Sequence, residues 1–236
     1  MCDSCGCGAP PSRTIEVNQR LLASNDAAAQ HNRHHFVTRR IIAINVMGSP
    51  GAGKTTLLEA TIRRWGNSRK VAVIEGDQST DRDSARIRAA GAVSFQIETG
   101  LGCHLDAAQI HRALHHLAIA DNSVLFIENV GNLVCPALFD LGEQLRVLVT
   151  NPTEGVDKPL KYPPMFRAAD IVVLTKCDLL PHLHFGIDEW KDYVQAVNVG
   201  ARVVQVSADT GAGIGEWLSE IESSRLGLLR DGAVAE

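Results

Sequence analysis

Apolar residues recur along the chain in short continuous runs, and stretches with helical spacing follow most of them. Runs of this length predict strands that are covered on both faces, at 41–47, 71–75, 93–97, 124–128, 145–150, 171–175 and 202–206. Helices are predicted at 54–65, 81–90, 105–117, 187–197 and 215–229. The alternation predicts an open α/β fold with a mostly parallel central sheet, helices on both faces, and ligands at the carboxyl ends of the strands.

The first 39 residues lack this pattern. They are rich in Gly, Pro, Ser, Asn and Gln and contain a small histidine cluster at His31, His34 and His35. We predict a metal-binding tail over 1–10 and a linker over 11–39 with a possible short helix over 17–29. One folded domain is expected over 40–229, with a tail over 230–236, because 236 residues with 45% apolar composition can bury a full core.

Charge and cysteine usage narrow the class of protein. The formal net charge of -4 and the pI of about 6.1 argue against nucleic-acid binding, which normally leaves a basic stripe. No secretory signal and no apolar run of roughly 20 residues is visible, which predicts a cytoplasmic protein without a membrane anchor. The 6 cysteines are then expected to stay reduced and to serve metal binding or catalysis.

A glycine-rich loop lies between the first predicted strand and the first predicted helix of the domain. Its sequence is GSPGAGKT, which is the P-loop pattern in the context that the pattern requires. We expect Lys54 to reach the β- and γ-phosphates of a nucleotide and Thr55 to ligate Mg²⁺. The predicted phosphate-binding residues are Gly48, Ser49, Pro50, Gly51, Ala52, Gly53, Lys54, Thr55 and Thr56.

The base-specific element decides which nucleotide is bound. The sixth predicted strand runs into TKCD, which resembles the guanine-reading NKxD motif of GTPases. Asp178 can accept two hydrogen bonds that guanine donates and adenine does not, and the stem of Lys176 can cover the base. Thr175 stands where the motif usually has Asn, which predicts a weaker brace to the P-loop. Ser207 and Ala208 resemble the second guanine loop, so GTP is the predicted nucleotide.

Two further strands end in carboxylates. Asp77 follows the second strand, and Glu128 lies three residues before Gly131, where many GTPases have DxxG. Oxygen ligands suit Mg²⁺, so Asp77 and Glu128 are predicted to bind it with Thr55 or to position the attacking water. We therefore assign Lys54, Asp77 and Glu128 to catalysis. A helix N-cap or a solvated loop charge is the alternative for either carboxylate.

Thiolates mark two candidate metal sites. One consists of Cys2, Cys5 and Cys7, and the other of Cys103, His104 and Cys135. Thiolate and nitrogen donors suit square-planar nickel or tetrahedral zinc. The second set leaves an incomplete shell that a symmetric partner could complete at a dimer interface.

Further histidines occupy one predicted helix. His111 and His115 share a helical face there, and we interpret them as surface or core histidines.

Several blocks together resemble the hydrogenase nickel-incorporation GTPases of the HypB type. They are VMGSPGAGKT, IEGDQSTDRD, QIETGLGCHLDA, ENVGNLVCP, EGVDKPLKYP and TKCDLLP, and the start MCDSCGCG is similar to the family's CxxCGC nickel motif. The resemblance implies a P-loop NTPase fold of the SIMIBI class, GTP hydrolysis with Mg²⁺ and a nucleotide- or metal-linked homodimer. It also implies delivery of Ni²⁺, with Zn²⁺ as an alternative metal, to the hydrogenase large-subunit precursor together with a partner nickel metallochaperone. A P-loop small-molecule kinase and a nickel-sequestering protein with a vestigial nucleotide site are the alternatives.

Overall fold

The computed structural model describes residues 13–77, 82–100 and 102–233. Its strands are β1 Ile42–Gly48, β2 Val71–Asp77, β3 Val93–Glu98, β4 Val124–Glu128, β5 Leu145–Thr150, β6 Ile171–Leu174 and β7 Arg202–Gln205. They form one parallel sheet in the order β3-β2-β4-β1-β5-β6-β7. The predicted α/β fold with a parallel sheet is confirmed.

The helices are α1 Arg13–Thr38, α2 Lys54–Trp65, α3 Arg82–Ala90, α4 Ala107–Leu114, α5 Lys158–Lys161, α6 Pro163–Ala168, α7 Ile187–Val197 and α8 Ile214–Ala233. The fourth begins two residues later than predicted because Asp106 caps it, accepting a hydrogen bond from the Gln109 amide, while the Gln109 side chain accepts one from the Asp106 amide. The short helices α5 and α6 were not predicted, because each is only about one or two turns long and hydrophobic periodicity needs a longer segment.

The core lies on both faces of the sheet. Along β1, Ile42 and Ile44 pack with α2 and α8, whereas Ala43 between them packs into a second cluster with Phe36 of α1. Alternate strand residues point to opposite faces, so a strand buried on both must be apolar throughout. Trp217 of α8 is fully buried there.

The segment predicted as a linker over 11–39 contains the helix expected over 17–29, but that helix is longer than predicted and packs on the domain, so its described part is not a linker. Residues 13–38 form one helix of 26 residues that packs against α4. Asn32 Nδ2 donates to the carbonyl oxygens of Ala107 (2.9 Å) and Leu141 (3.0 Å), and Asn25 Nδ2 donates to that of Asp140 (2.7 Å). Among residues 22–38 the buried face consists of two amides and two apolar side chains, Asn25, Ala29, Asn32 and Phe36, so hydrophobic periodicity does not show the helix.

The two predicted tails have different outcomes. The tail over 230–236 begins too early, since α8 continues to Ala233. The predicted metal-binding tail over 1–10 lies outside the described residues. None of the helices within the described ranges combines the length and the apolar character needed to cross a bilayer.

Candidate nucleotide and metal sites

The loop from β1 to α2 follows a path that glycine permits. A Cβ added at Gly48 would overlap the carbonyl oxygen of Val149 on β5, and Gly53 has φ +96° immediately before α2. Neither position suits a residue with a side chain. The loop therefore lies close against the sheet and leads directly into the N-terminus of α2, where unpaired backbone N–H groups favour an anion.

A cavity of about 550 Å³ opens above this loop at the carboxyl edge of the sheet. Its wall combines the P-loop with the ends of β2 and β4, the start of α3 and the loop after β6. The lining residues are Pro50, Gly51, Gly53, Lys54, Thr55, Thr56, Glu75, Gly76, Asp83, Arg86, Glu128, Asn129, Val130, Gly131 and Lys176. Charged and small residues dominate this wall, as a phosphate-bearing ligand requires.

Lys54, Thr55 and Glu128 meet at the floor of the cavity. Lys54 Nζ donates to the carbonyl oxygens of Ser49 (3.3 Å) and Gly48 (3.4 Å). Thr55 Oγ1 donates to Glu128 Oε1 at 2.8 Å, while Glu128 Oε2 is buried without a hydrogen-bond partner among the described residues. Burial raises the pKa of Glu128 to about 7, although Lys54 and the Thr55 hydroxyl act in the opposite direction. A hydroxyl beside an unsatisfied carboxylate oxygen fits a Mg²⁺ ligand set.

Two carboxylates of the neighbouring strand β2 lie at the same edge of the sheet. Asp77, which was predicted, is the last residue of β2, and its side chain lies outside the described part. Glu75 was not predicted. Glu75 pairs in register with Glu128, is 2% exposed and lines the cavity. The signal in the sequence was a charged residue inside an otherwise apolar strand.

The loop after β6 reaches back to the P-loop. Thr175 Oγ1 donates to the Ala52 carbonyl oxygen at 2.5 Å, and Lys176 Nζ donates to that of Gly51 at 2.9 Å. Thr175 therefore does contact the P-loop although it stands in place of the usual Asn, because its side chain is buried beside the loop. Lys176 adopts a left-handed conformation with φ 54°, which turns the chain toward the cavity.

The two predicted guanine loops meet at the ends of β6 and β7. Ser207 Oγ donates to Asp178 Oδ1 at 2.6 Å, and Ala208 follows directly in the same loop. Because β6 and β7 are adjacent and parallel, their carboxyl ends place these two loops together. Asp178 is thus held in place by the hydroxyl of Ser207.

Helix α3 supplies residues that the sequence analysis missed. Arg86 donates hydrogen bonds to Glu59 Oε2 (2.6 Å), Asp83 Oδ1 (2.9 Å) and Thr56 Oγ1 (3.1 Å), and both Asp83 and Arg86 line the cavity. This network places a guanidinium beside the P-loop helix. No local motif marks it, since the contact depends on how α3 packs against α2.

Cys103, His104 and Cys135 come together as predicted. Cys103 Sγ lies 3.0 Å from Cys135 Sγ and 3.5 Å from His104 Nδ1, and one donor atom from each lies within 4.8 Å of the others. The His104 ring stacks on Phe139 with 3.8 Å between ring centroids, and burial lowers the pKa of His104, which favours the neutral, metal-binding ring. Two sulfurs and one nitrogen suit nickel or zinc and leave a position open.

A short path connects this cluster to the P-loop. The backbone N–H of Asn132 donates to the Gly48 carbonyl oxygen at 3.1 Å. Its side-chain Oδ1 accepts hydrogen bonds from the backbone N–H groups of Val134 (2.8 Å) and Cys135 (3.4 Å). Gly131, beside it, lies so close to Pro50 that an added Cβ would be 2.9 Å from that residue. Asn132 alone therefore links the P-loop to Cys135 along this path, and a displacement of the P-loop would be transmitted through it.

The remaining cysteines lie outside the cluster that the structure describes. The predicted N-terminal site of Cys2, Cys5 and Cys7 lies outside the described residues. Cys177 Sγ donates to the Leu174 carbonyl oxygen at 3.0 Å and belongs to no donor group among the described residues.

Comparisons with known proteins agree on one group. The family model described as CobW/HypB/UreG, nucleotide-binding domain, matches residues 42–205. A curated relative, hydrogenase maturation factor HypB of Azotobacter chroococcum mcd 1, is 52% identical over 223 residues, covering 94% of this chain and 73% of that protein.

Solved structures give the same result. The crystal structure of HypB from Archaeoglobus fulgidus aligns with a TM-score of 0.80 at 38% identity, over 86% of this chain and 100% of that one. HypB from Helicobacter pylori in complex with nickel aligns with a TM-score of 0.81 at 33% identity, over 86% of this chain and 96% of that one.

Proposed function

The chain belongs to the HypB hydrogenase maturation factors of the CobW/HypB/UreG family, and on this premise we propose that it hydrolyses GTP and links its nucleotide state to nickel transfer. The nickel would be delivered to the hydrogenase large-subunit precursor with a partner metallochaperone. Membership in this family carries a P-loop NTPase fold and a nucleotide-binding domain. It weighs against the alternative of a small-molecule kinase.

The preference for GTP rests on the contact between Asp178 and Ser207. Both residues lie beside Thr175 and Lys176, which are bonded to the P-loop, so a nucleotide with its phosphates at Lys54 would present its base to Asp178. A carboxylate accepts hydrogen bonds and cannot donate them. It therefore selects a base edge that carries two donors, which is the edge of guanine.

Hydrolysis is assigned to the floor of the cavity. Lys54 would exchange its contacts with the Gly48 and Ser49 carbonyls for phosphate oxygens. Thr55 and Glu128 would hold Mg²⁺, with Asp77 as a further candidate ligand, and Mg²⁺ would neutralise charge on the β- and γ-phosphates. The unpaired Glu128 Oε2 is placed to accept a hydrogen bond from a water molecule and thereby orient it.

The nickel step is assigned to Cys103, His104 and Cys135, and nickel is carried by the relative from Helicobacter pylori. Zn²⁺ suits the same donors. Val134 (52% exposed) and Leu138 (60% exposed) flank Cys135 and leave an apolar surface that a second copy of the chain would cover. A homodimer across this surface would complete the metal shell, in a cytoplasmic setting where thiols stay reduced.

Exchange of Asp178 for Asn tests the function. Asp178→Asn should weaken GTP binding by about 1.5–3 kcal/mol and improve binding of xanthosine triphosphate, because the amide donates where guanine also donates. Binding and hydrolysis of both nucleotides are measured, with Asp192→Asn at an exposed position of α7 as the matched control. An unchanged preference for GTP in Asp178→Asn would remove the argument for a guanine site.

A further inference from the structure

Two groups of histidines that are far apart in sequence meet at the contact between α1 and α4. His31 lies on α1, His111 lies on α4, and His115 follows the end of α4. The His111 and His31 rings have centroids 4.7 Å apart, and the His111 and His115 rings have centroids 4.9 Å apart. Neither group belongs to the nucleotide cavity or to the cysteine cluster.

We propose that His31, His111 and His115 form a second metal site, which takes a divalent cation of the nickel, copper and zinc class through imidazole nitrogens. The inference does not depend on GTP hydrolysis or on nickel delivery. Imidazole suits these metals, and two histidines four residues apart on a helix are a known metal-binding pair.

The distance between nitrogens supports a shared ion. His111 Nε2 and His115 Nε2 lie 3.3 Å apart. With metal–nitrogen bonds of about 2.0–2.1 Å, two ligand nitrogens are separated by about 2.9 Å at a right angle and about 3.3 Å at the tetrahedral angle. The pair therefore has the spacing of two ligands of one ion without further movement.

The ring separations agree with this geometry. Imidazoles bound to a common ion at angles between 90° and 109° place their centroids roughly 4.5–5.2 Å apart, given the same bond lengths. The observed separations of 4.7 Å and 4.9 Å lie inside that interval, and both ring pairs are nearly perpendicular, at 86° and 87°. The nitrogens of the three rings do not all lie within 4.8 Å of one another in the free protein, so the His31 side chain must rotate for its nitrogen to join the pair.

The packing of the two helices holds this arrangement. Asn32, next to His31, donates to the Ala107 carbonyl oxygen at 2.9 Å, and Asn25 accepts from the Ala107 N–H at 2.9 Å. Both bonds join α1 to the first turn of α4. The histidines are therefore brought together by buried amides of fixed geometry, and their exposed edges remain open to ions from solvent.

The neighbouring charges define the ligand set. His35 Nε2 lies 3.5 Å from Arg39 Nη1, whose cationic charge disfavours a metal ion there, so His35 is left out. Arg39 itself is bonded to Asp121 at 2.7 Å.

Nickel binding to a chain without thiolates tests the site. Cys2, Cys5, Cys7, Cys103 and Cys135 are replaced by Ser in the full chain, and bound Ni²⁺ is measured by equilibrium dialysis and metal analysis. We expect one Ni²⁺ per chain to remain. The double substitution His111→Ala and His115→Ala should weaken that binding strongly. Loss of a residue that only hydrogen-bonds to a metal ligand already costs about 10- to 100-fold, and loss of two ligands should cost more.

Controls separate the site from a general effect of histidine loss. His116→Ala changes the next residue, whose ring stacks on Phe95 outside the cluster, and should leave Ni²⁺ affinity unchanged. His31→Ala should weaken binding less than the double substitution does. If the double variant binds Ni²⁺ as the parent does, the site does not exist, and if His31→Ala has no effect, the three-histidine assignment is wrong.

The chain with all its cysteines provides a second measurement in case the serine variant does not fold. There, the double histidine variant should bind one Ni²⁺ fewer than the unsubstituted protein at saturation. Circular dichroism verifies that α1 and α4 are retained. Equal stoichiometry in the two proteins would overturn the proposal regardless of what the cysteine sites bind.

Discussion

The nucleotide cavity and the cysteine cluster lie at the same edge of the sheet but are built differently. Lys54, Thr55 and Glu128 at the floor of the cavity are at most 8% exposed and are held by the chain's own groups. Cys103 and Cys135 are partly exposed, lie on two loops and offer an incomplete set of donors. The cavity is pre-organised by packing, whereas the cluster needs a further ligand to be complete.

This difference indicates whether the nucleotide cavity can act on the cysteine cluster or the reverse. Buried contacts of Lys54 and Thr55 hold the nucleotide cavity in place. A nucleotide that binds there must therefore displace these contacts. Asn132 is hydrogen-bonded both to Gly48 of the P-loop and to Cys135. The cysteine cluster can therefore move when the contacts in the cavity change. We expect nucleotide to alter the metal cluster through this link, and thermodynamic linkage makes the effect reciprocal.

The largest expected effect is loss of hydrolysis in Lys54→Ala. Removing a positive charge that faces the phosphates should lower kcat for GTP by about 10²- to 10³-fold, as loss of other electrostatic donors does. Metal binding at Cys103 and Cys135 should persist, because neither residue contacts Lys54 in the described hydrogen bonds. A phosphate-release assay and metal titration measure both, with Lys161→Ala on exposed α5 as the control. Retained hydrolysis would contradict the assigned role.

The next effect is a pH dependence of stability caused by Glu128. Its pKa is about 7 in the folded protein against an ordinary value of 4.5, so the folded state binds more protons than the unfolded state between these values. Stability from this group is therefore fully present below the lower pKa and decreases as pH rises toward the upper one, by at most about 3 kcal/mol.

Glu128→Gln should remove this dependence. Urea unfolding of the nucleotide-free protein at roughly pH 5 and pH 8 gives the change for both proteins, and the unsubstituted chain should lose more stability than the variant. Glu216→Gln, at an exposed position on α8, should behave as the unsubstituted chain. Equal losses in all three proteins would show that Glu128 is not the group responsible.

A smaller effect concerns the link between the sites. Ni²⁺ affinity at the cysteine cluster should differ about 5- to 150-fold between GDP and a non-hydrolysable GTP analogue, measured with Cys2, Cys5 and Cys7 changed to Ser. Asn132→Ala should reduce that difference while all three donors remain, and Cys135→Ala should abolish it. Asn67→Ala, at an exposed position, should preserve the difference. Equal affinities with both nucleotides would refute a coupled switch.

The smallest effect is expected at Thr175. Thr175→Val removes the hydroxyl that donates to the Ala52 carbonyl oxygen. We expect a loss of about 0.5–1.5 kcal/mol in the free energy of unfolding, measured by urea denaturation. Thr175→Ser keeps the hydroxyl and should lose less. If Val and Ser behave alike, this hydroxyl does not brace the P-loop.

The strands of the sheet, the P-loop and the position of the functional residues at the strand ends could all be predicted from the sequence. Each of these is encoded in contiguous residues: an apolar run for a strand, glycines and Lys54 for the loop, and Thr175 to Asp178 for the base motif. The grouping of Cys103, His104 and Cys135 also followed, because loops after parallel strands gather at one edge.

The contacts made by the helices could not be predicted in this way and follow from the tertiary structure. In the structure, most of the expected linker is helix α1, Arg86 lies beside Thr56, and His31 lies beside His111. The physical reason is that these contacts depend on how helices pack, and in α1 that packing uses the amides of Asn25 and Asn32. Such hydrogen bonds join residues 75 to 115 positions apart and leave no period in the local sequence.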